Sequence, residues 1–413
     1  MRVWVLKNGE PWPLDSGNRL MRTGQLAEAL RERGHCVTWW TGNVEHSSKA
    51  VRQAGEWRRG EDFDVIALPG MPYDRNISLR RYVNYRQVAA RFARAARKRE
   101  APDLLVAALP CHHFALAGME YARRFGVAAV IDHRDLWPDI FHSALPPFLP
   151  DLLLAGEHRV QRAAFRMADA IVGISPGYVE AGLRHAGRSR TQWDRHFHLG
   201  AFPPVAQSRR STVDALAPYR GKKLLIYVGT FGYSYELPLV LEAARDLASR
   251  RRDFIVLLCG RGDQQLDALL ADHPAAVSLG WLDGPALAPV LACCHAGLMP
   301  FRAGSPQSIP NKAFDYFSAG LPVISSLAGE MQRLIEGRGL GLHYPAGDRN
   351  ALRQAMEAMI DATDAWNLWS ANAWRFFAEE GDSTIVYVEY ARHLERLVEH
   401  RKQQAAARGR NRQ

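Results

Sequence analysis

Ser308-Ile309-Pro310-Asn311-Lys312-Ala313-Phe314-Asp315-Tyr316, running on to Gly320-Leu321-Pro322-Val323-Ile324, is the stretch that decides how this chain is read. It predicts a turn, then a short helix, then a buried strand. Pro310 sits just before the helix, where a missing N–H costs least. The first-turn N–H groups lack intrahelical acceptors and can meet an anion. Lys312 adds a positive charge there, Asp315 lies one turn along, and Gly320 ends the helix. Phosphates at the helix end and ribose hydroxyls on the carboxylate fit this layout, which points to a nucleoside diphosphate.

Working outward, short apolar segments alternate with helical or loop segments. In the first half these are Met1–Leu6, Cys36–Thr41, Asp64–Leu68, Asp103–Ala108, Ala128–Asp132 and Ala170–Ile174. In the second half they are Lys223–Val228, Phe254–Cys259, Ala296–Pro300 and Pro322–Ser326. Buried parallel strands read this way, and the alternation argues for doubly wound α/β domains. A chain of 413 residues suggests two or three domains. Pro203, Pro204 and Pro218 place a linker within 199–220.

Hydrophobic residues make up 47% and charged residues 23%, a globular balance. The five cysteines, Cys36, Cys111, Cys259, Cys293 and Cys294, lack metal-ligand spacing and are expected to be mostly buried thiols of a cytosolic protein. No signal peptide and no uncharged apolar run of membrane-spanning length is visible.

The formal net charge is +10 and is unevenly spread. Nine basic residues and no acid lie between Arg75 and Arg99. Leu79, Tyr82, Tyr85, Val88 and Phe92 recur at spacings of three and four. That predicts an amphipathic helix with a cationic face, suited to an anionic membrane surface or to an acceptor. Arg80, Arg81, Arg91 and Arg94 would supply the charge, and Tyr82, Tyr85 and Phe92 the apolar side. The bland alternative is the solvated face of an ordinary surface helix.

The 308–316 segment resembles the donor-site motif of glycosyltransferase family 4, in the branch that carries Ser-x-Pro-x-Lys-x-x-acid-Tyr in bacterial surface-polysaccharide synthesis. The resemblance spans nearly the whole chain. It implies the GT-B fold, an α/β architecture of two doubly wound Rossmann-like domains facing across a cleft. Residues 1–200 would bind the acceptor and 201–383 the nucleotide sugar. Residues 384–401 would form a terminal helix crossing back to the first domain, and 402–413 a disordered basic tail. The implied reaction is retaining transfer from a nucleotide sugar to a lipid-linked or saccharide acceptor. Its implied setting is the cytoplasmic face of the cell membrane, with neither cofactor nor metal.

The resemblance assigns Ser308, Ile309, Pro310, Asn311, Lys312 and Asp315 to the donor. Gly17-Asn18 corresponds to the family's glycine loop, with Asn at the second position. Gly229-Thr230-Phe231-Gly232 follows a strand where many members carry Arg and Lys; here backbone N–H groups and Lys312 would hold the phosphates. Arg261 and Trp281 follow strands that border the nucleobase in the family. The usual pair of acids becomes Gln307 and Asp315. Asp132-His133-Arg134-Asp135-Leu136-Trp137-Pro138 resembles the branch's Arg-Asp-Leu-Trp-Pro segment. Arg134 and Asp135 are thereby the sugar- or acceptor-contacting groups and the catalytic candidates, and His133 should point to the opposite face.

Other readings are weaker. Gly173-Ile-Ser175-Pro176-Gly177 has the form of a hydrolase elbow, but Pro176 lacks the required oxyanion N–H, so Ser175 is read as a helix N-cap. His133-Arg134-Asp135 lacks the companion motifs of a kinase. Asp62-Phe63-Asp64 lies at the wrong end of a strand for a metal site. A GT-B nucleotide-sugar epimerase or a basic nucleic-acid-binding protein are the alternatives; no nucleic-acid recognition module is readable.

Overall fold

The computed structural model describes residues 1–15, 20–46, 48–60, 63–75, 78–137, 148–203, 214–262, 268–282 and 284–410. The chain divides into two compact units, Met1–His198 with Thr384–Gln413, and Leu199–Ser383.

The first unit carries one sheet. Its strands are β1 (Arg2–Leu6), β2 (Cys36–Gly42), β3 (Gly55–Arg59), β4 (Phe63–Leu68), β5 (Leu104–Ala108), β6 (Ala128–His133), β7 (Ala170–Gly173) and β8 (Arg195–His196). The spatial order is β3-β4-β2-β1-β5-β6-β7-β8, parallel throughout except for β3 against β4. The order reverses between β1 and β5, so loops leaving the carboxyl ends of these central strands form a natural crevice. Helices α1 (Arg22–Glu32), α2 (Leu79–Ala96), α3 (His112–Phe125), α4 (Phe148–Met167) and α5 (Pro176–Ala186) connect the strands. Ser175 is the N-cap of α5, with Pro176 in its first turn.

Helix α2 begins where the Ser78 hydroxyl accepts the Arg81 N–H at 3.2 Å. Its apolar stripe faces inward: Tyr85, Val88 and Phe92 join Trp4, Trp40 and Phe114 in the core. This corrects the expectation that Tyr85 and Phe92 form a membrane-facing side. Phe92 is fully buried, edge-on to Trp40 at 5.1 Å between centroids. A single apolar stripe satisfies either a core or a bilayer, and here the sheet occupies it.

The terminal helix α12 (Ser383–Arg410) lays Val386, Tyr387, Tyr390, Leu394 and Leu397 over the other face of the sheet, among Val3, Val5 and Trp39. The segment from 402 was expected to be disordered; the helix instead continues to Arg410. Arg401 pairs with Asp169 at 2.8 Å and Lys402 with Asp103 at 2.7 Å, which extends the helix past its apolar stripe.

The second unit holds β9 (Lys223–Val228), β10 (Phe254–Cys259), β11 (Ala276–Gly280), β12 (Ala296–Met299), β13 (Val323–Ser325) and β14 (Gly341–His343), in the order β11-β10-β9-β12-β13-β14. All pairs are parallel. Helices α6 (Leu237–Ala248), α7 (Gly284–Ala292), α8 (Asn311–Ser318), α9 (Glu330–Arg338), α10 (Arg349–Asp361) and α11 (Asp364–Phe376) complete it. Separate apolar clusters lie on the two faces of the sheet. Both units are thus Rossmann-like α/β folds, and each switch point lies beside its first strand.

Candidate functional site

In the second unit the switch point falls between β9 and β12. The loop leaving β9 and the helix entered after β12 meet there. Tyr316 of α8 fixes this meeting: its hydroxyl accepts the Val228 N–H at 2.9 Å and donates to the Leu298 carbonyl at 3.2 Å. Gly297 makes room, since a Cβ there would collide with the Tyr316 ring. Pro310 is the N-cap of α8 with extended backbone, and Gly320 follows the helix at φ 66°.

Lys312, in the first turn of α8, is 7% exposed. Its ammonium lies 3.9 Å from the Tyr235 ring centroid, 4.0 Å from Tyr227 and 5.6 Å from Phe301. The Nζ atom has no hydrogen-bond partner among the described residues. Burial pushes its pKa well below the ordinary lysine value, against the opposing pull of Asp315. A buried cation without a hydrogen-bond partner is costly, and an anion beside Nζ would offset that cost. Gly229 borders the charge: a Cβ there would sit 3.2 Å from Nζ, and its φ of 139° disfavours other residues. Gly260 packs so closely that a Cβ would strike the Gly229 carbonyl oxygen.

The other predicted donor residues gather around this point. The Phe231 N–H donates to the Arg261 carbonyl at 2.9 Å, and the Thr230 carbonyl accepts the Tyr227 hydroxyl at 2.7 Å. Both hydrogen bonds fix the 229–231 loop. Ser308 hydrogen-bonds Glu330 through its hydroxyl, Ile309 is buried and Asn311 is exposed. Asp315 is half-buried. Gln307, where a family acid would fall, hydrogen-bonds Tyr235. Arg261 stacks over Trp281 at 4.9 Å. Gly17 and Asn18 lie outside the described residues. Tyr227, Phe301, Tyr235 and Glu330 were not anticipated as participants. Tyr235 completes the cage, with no signal beyond its closeness to the β9 loop. Glu330 opens α9 just after β13, and a carboxylate at that strand end was legible.

In the first unit, Arg134 and Asp135 have separate hydrogen-bond partners. Arg134 donates to Asp132 at 2.8 Å and Thr23 at 2.8 Å, and it also binds Glu10. Arg22, buried beneath it, reaches the same Asp132 at 3.1 Å and the carbonyls of Phe197 and His198. Burial pushes the fully enclosed Asp132 carboxyl up; Arg134 and Arg22 overcome this and hold it below the ordinary range. Asp135 instead accepts the N–H of nearby Trp137 at 2.7 Å. Nε and Nη1 of Arg134 are hydrogen-bonded, and Nη2 lies 2.7 Å from Asp132 as an ion pair, so the guanidinium also braces the strand ends. His133 is fully buried and its Nδ1 lies 2.7 Å from the Tyr178 carbonyl. Pro138 and Asp139 lie outside the described residues.

The α2 residues divide. Arg80 and Arg94 are exposed. Arg81 donates to the Tyr85 hydroxyl at 2.8 Å, and Arg91 binds the Pro69 carbonyl. Tyr82 is half-buried, edge-on to His113 at 5.3 Å. Three cysteines are buried, as expected of most of them, and Cys36 and Cys293 are exposed. No helix is long and apolar enough to cross a membrane among the described residues.

Residues 21–194 match the family model of the glycosyl transferase 4-like domain, and residues 222–362 match glycosyl transferases group 1. Among solved structures, sucrose-phosphate synthase from Thermosynechococcus elongatus is 18% identical, covering 96% of this chain and 98% of its own, with a TM-score of 0.74. HepE from Anabaena in complex with UDP is 14% identical, covering 96% and 100%, with a TM-score of 0.69. WaaG, a glycosyltransferase involved in lipopolysaccharide biosynthesis, is 15% identical, covering 95% and 98%, with a TM-score of 0.65. No curated protein sequence matches the chain.

Proposed function

Since this chain belongs to the GT-B glycosyltransferases, we propose that it moves a sugar, with retention, from a nucleoside-diphosphate donor to a saccharide or lipid-linked acceptor in surface-polysaccharide synthesis. The observation that carries the donor half is the caged, unpartnered ammonium of Lys312 beside Gly229. HepE was solved with UDP and with UDP-glucose, which supports a nucleotide sugar as ligand. The lipopolysaccharide role stated for WaaG, together with the branch resemblance of Ser308–Tyr316, supports the polysaccharide setting.

Lys312 and the first N–H groups of α8 would receive the diphosphate. As the bond between the anomeric carbon and the diphosphate breaks, negative charge grows on the leaving oxygen, where a fixed cation in a low-dielectric cage is most effective. Asp315 would take the ribose hydroxyls, and Ser308, held by Glu330, would set the entrance of the helix. The acceptor oxygen loses its proton as the new glycosidic bond forms, and the proton passes to the departing diphosphate, whose oxygen gains negative charge in the same step. Arg134, held by Asp132, Glu10 and Thr23, would contact the sugar or the acceptor from the first unit. The exposed cations Arg80 and Arg94, with Leu79 exposed at the start of α2, suit a contact with an anionic membrane surface that rests on charge.

The test is a panel of nucleotide sugars incubated with the full chain. Slow hydrolysis of one donor, abolished in Lys312→Met, is the expected result. Interconversion of sugars without release of nucleotide would support an epimerase and overturn the transfer.

A further inference from the structure

A second cationic site lies in the first unit, bordering the Asp132 network at Lys7. Three loops meet there at the carboxyl ends of β1, β2 and β4, together with the first turns of α2. Lys7 follows β1, His46 and Lys49 follow β2, Tyr73 follows β4, and Arg81 and Tyr85 belong to α2. His46 Nδ1 lies 3.1 Å from the Tyr73 hydroxyl, and the Lys49 ammonium lies 5.5 Å from the Tyr73 ring centroid. Arg81 lies over the Tyr85 ring at 5.1 Å. Lys7, buried, donates to the Leu109 carbonyl at 2.7 Å.

The charge acting on His46 is one-sided, although Lys7 also faces Glu10, Asp135 and Asp132. Lys7, Lys49 and Arg81 all act on His46, and with burial as the larger cause they push its pKa down to about 4. The imidazole is therefore neutral and adds a polar wall without charge. Arg81 also lowers the pKa of Lys49, after burial. The nearby acids are taken elsewhere: Glu45 and Asp15 pair with Arg52 at 2.9 and 2.5 Å, and Glu10 binds Arg134 and Thr23. Lys49 is also the one non-glycine residue with positive φ, at 61°, among those described. Such a backbone costs free energy and persists where the surroundings over-determine it, often at ligand clamps. Gathering cations against their mutual repulsion is favourable once an anion sits between them.

We propose that Lys7, Lys49 and Arg81, with the Tyr73 and Tyr85 hydroxyls, bind a phosphoryl group carried by the acceptor. The inference rests on the transferase reading for the word acceptor, but the anion site stands on its own residues. A sugar phosphate and a polyprenyl-diphosphate-linked sugar share this chemistry.

Inorganic pyrophosphate is titrated calorimetrically into the full-length Lys312→Met protein, where the donor cage has lost its charge. Binding should persist there and weaken roughly tenfold or more when Lys49→Gln and Arg81→Gln are added. Lys49→Arg with Arg81→Lys should restore it, which separates loss of charge from misfolding; the melting temperature of each variant provides the second check. Equal affinity with and without the Gln pair overturns the site. UDP affinity is measured on the Gln pair alone and should be unchanged. If UDP binds neither that protein nor wild type while pyrophosphate behaves as expected, the donor reading fails and the anion site stands. Glucose 6-phosphate and farnesyl diphosphate then distinguish the two sources, and the tighter, substitution-sensitive ligand names the acceptor class. No sensitivity to the Gln pair with either one overturns the assignment to an acceptor.

Discussion

Lys312→Met should have opposite effects on stability and on binding. Methionine keeps the unbranched stem and leaves a thioether among Tyr227, Tyr235 and Phe301, surroundings that suit sulfur. The substitution removes a buried polar group without a partner, worth about 1–3 kcal/mol; the cation–π attraction that disappears with the ammonium offsets part of that gain. For a unit of this size each kcal/mol corresponds to roughly 2–4 °C, so the unliganded variant should melt a few degrees higher. Binding should fall, because a charged hydrogen bond to phosphate is worth about 1.5–3 kcal/mol, or roughly 10- to 150-fold in affinity. A proton linkage accompanies this. The folded-state pKa of Lys312 is depressed, so the unfolded chain holds more protons between that value and the ordinary 10.5. The lysine's cost to stability therefore diminishes as pH rises through this window. A bound diphosphate raises the pKa again, so wild type should take up protons on binding UDP and the variant less. Scanning calorimetry, and titrations in buffers of different ionisation enthalpy, read all three quantities. A variant that melts lower and binds UDP as tightly as wild type would make Lys312 an ordinary packing residue and refute the reasoning.

Asp315→Asn keeps the shape but removes the charged acceptor for a ribose diol; wild type should discriminate against a 2′-deoxyribose donor and the variant much less, and equal discrimination by both would remove Asp315 from the ribose. Arg22→Met takes one guanidinium from the buried Asp132 and should cost about 3–5 kcal/mol near neutral pH. Because the Asp132 pKa is depressed, its stabilisation is present above the ordinary 3.8 and is lost as pH falls through the lower folded value. The gap in melting temperature between wild type and Arg22→Met should therefore narrow in acid, and a pH-independent gap would contradict the pairing. Arg80 and Arg94 contribute about 1 kcal/mol each near an anionic surface, screened by salt. Arg80→Gln with Arg94→Gln should reduce sedimentation with anionic vesicles at low salt, and unchanged sedimentation would return α2 to a solvated face.

Legibility in the sequence followed burial and chain continuity. Central strands such as Leu104–Ala108 and Phe254–Cys259 are buried along their whole length, so their apolar runs were readable. β3 was not: Gly55-Glu56-Trp57-Arg58-Arg59 is a polar edge strand, antiparallel and only half-covered. β11 and β14 are likewise partly covered strands at the sheet's two edges. The donor motif was readable because Ser308 to Asp315 is contiguous and one helical turn does the positioning. The cage around Lys312 was not, since Tyr227, Tyr235 and Phe301 come from different segments that only the fold brings together. The same holds for Arg22, which reaches Asp132 across more than a hundred residues of chain. The strand-end argument located the charge of Arg134 but not its partners Asp132, Glu10 and Thr23, which come from separate segments.

The two anion sites differ in a way that follows from what each must do. Lys312 is a single cation behind three rings, on a helix tied to β9 and β12 by the Tyr316 hydroxyl. Its position is fixed before any ligand arrives, which is what stabilising a developing charge requires, since preorganised groups need not move as the reaction proceeds. Lys7, Lys49 and Arg81 come from three segments, two of them loops, and two of the three lie on long side chains that are only half-buried. Such a set tolerates variation in where an anion sits and gains from charge more than from geometry. That suits holding a substrate, where equal strength in ground and transition states lowers KM and leaves kcat alone. Loss of the Lys312 charge should therefore appear in kcat as well as in donor affinity, whereas loss of Lys49 and Arg81 should appear in KM for the acceptor. A kcat effect from the Lys49 and Arg81 pair with KM unchanged would mean that the cluster acts on the reacting atoms and not on a remote phosphoryl group.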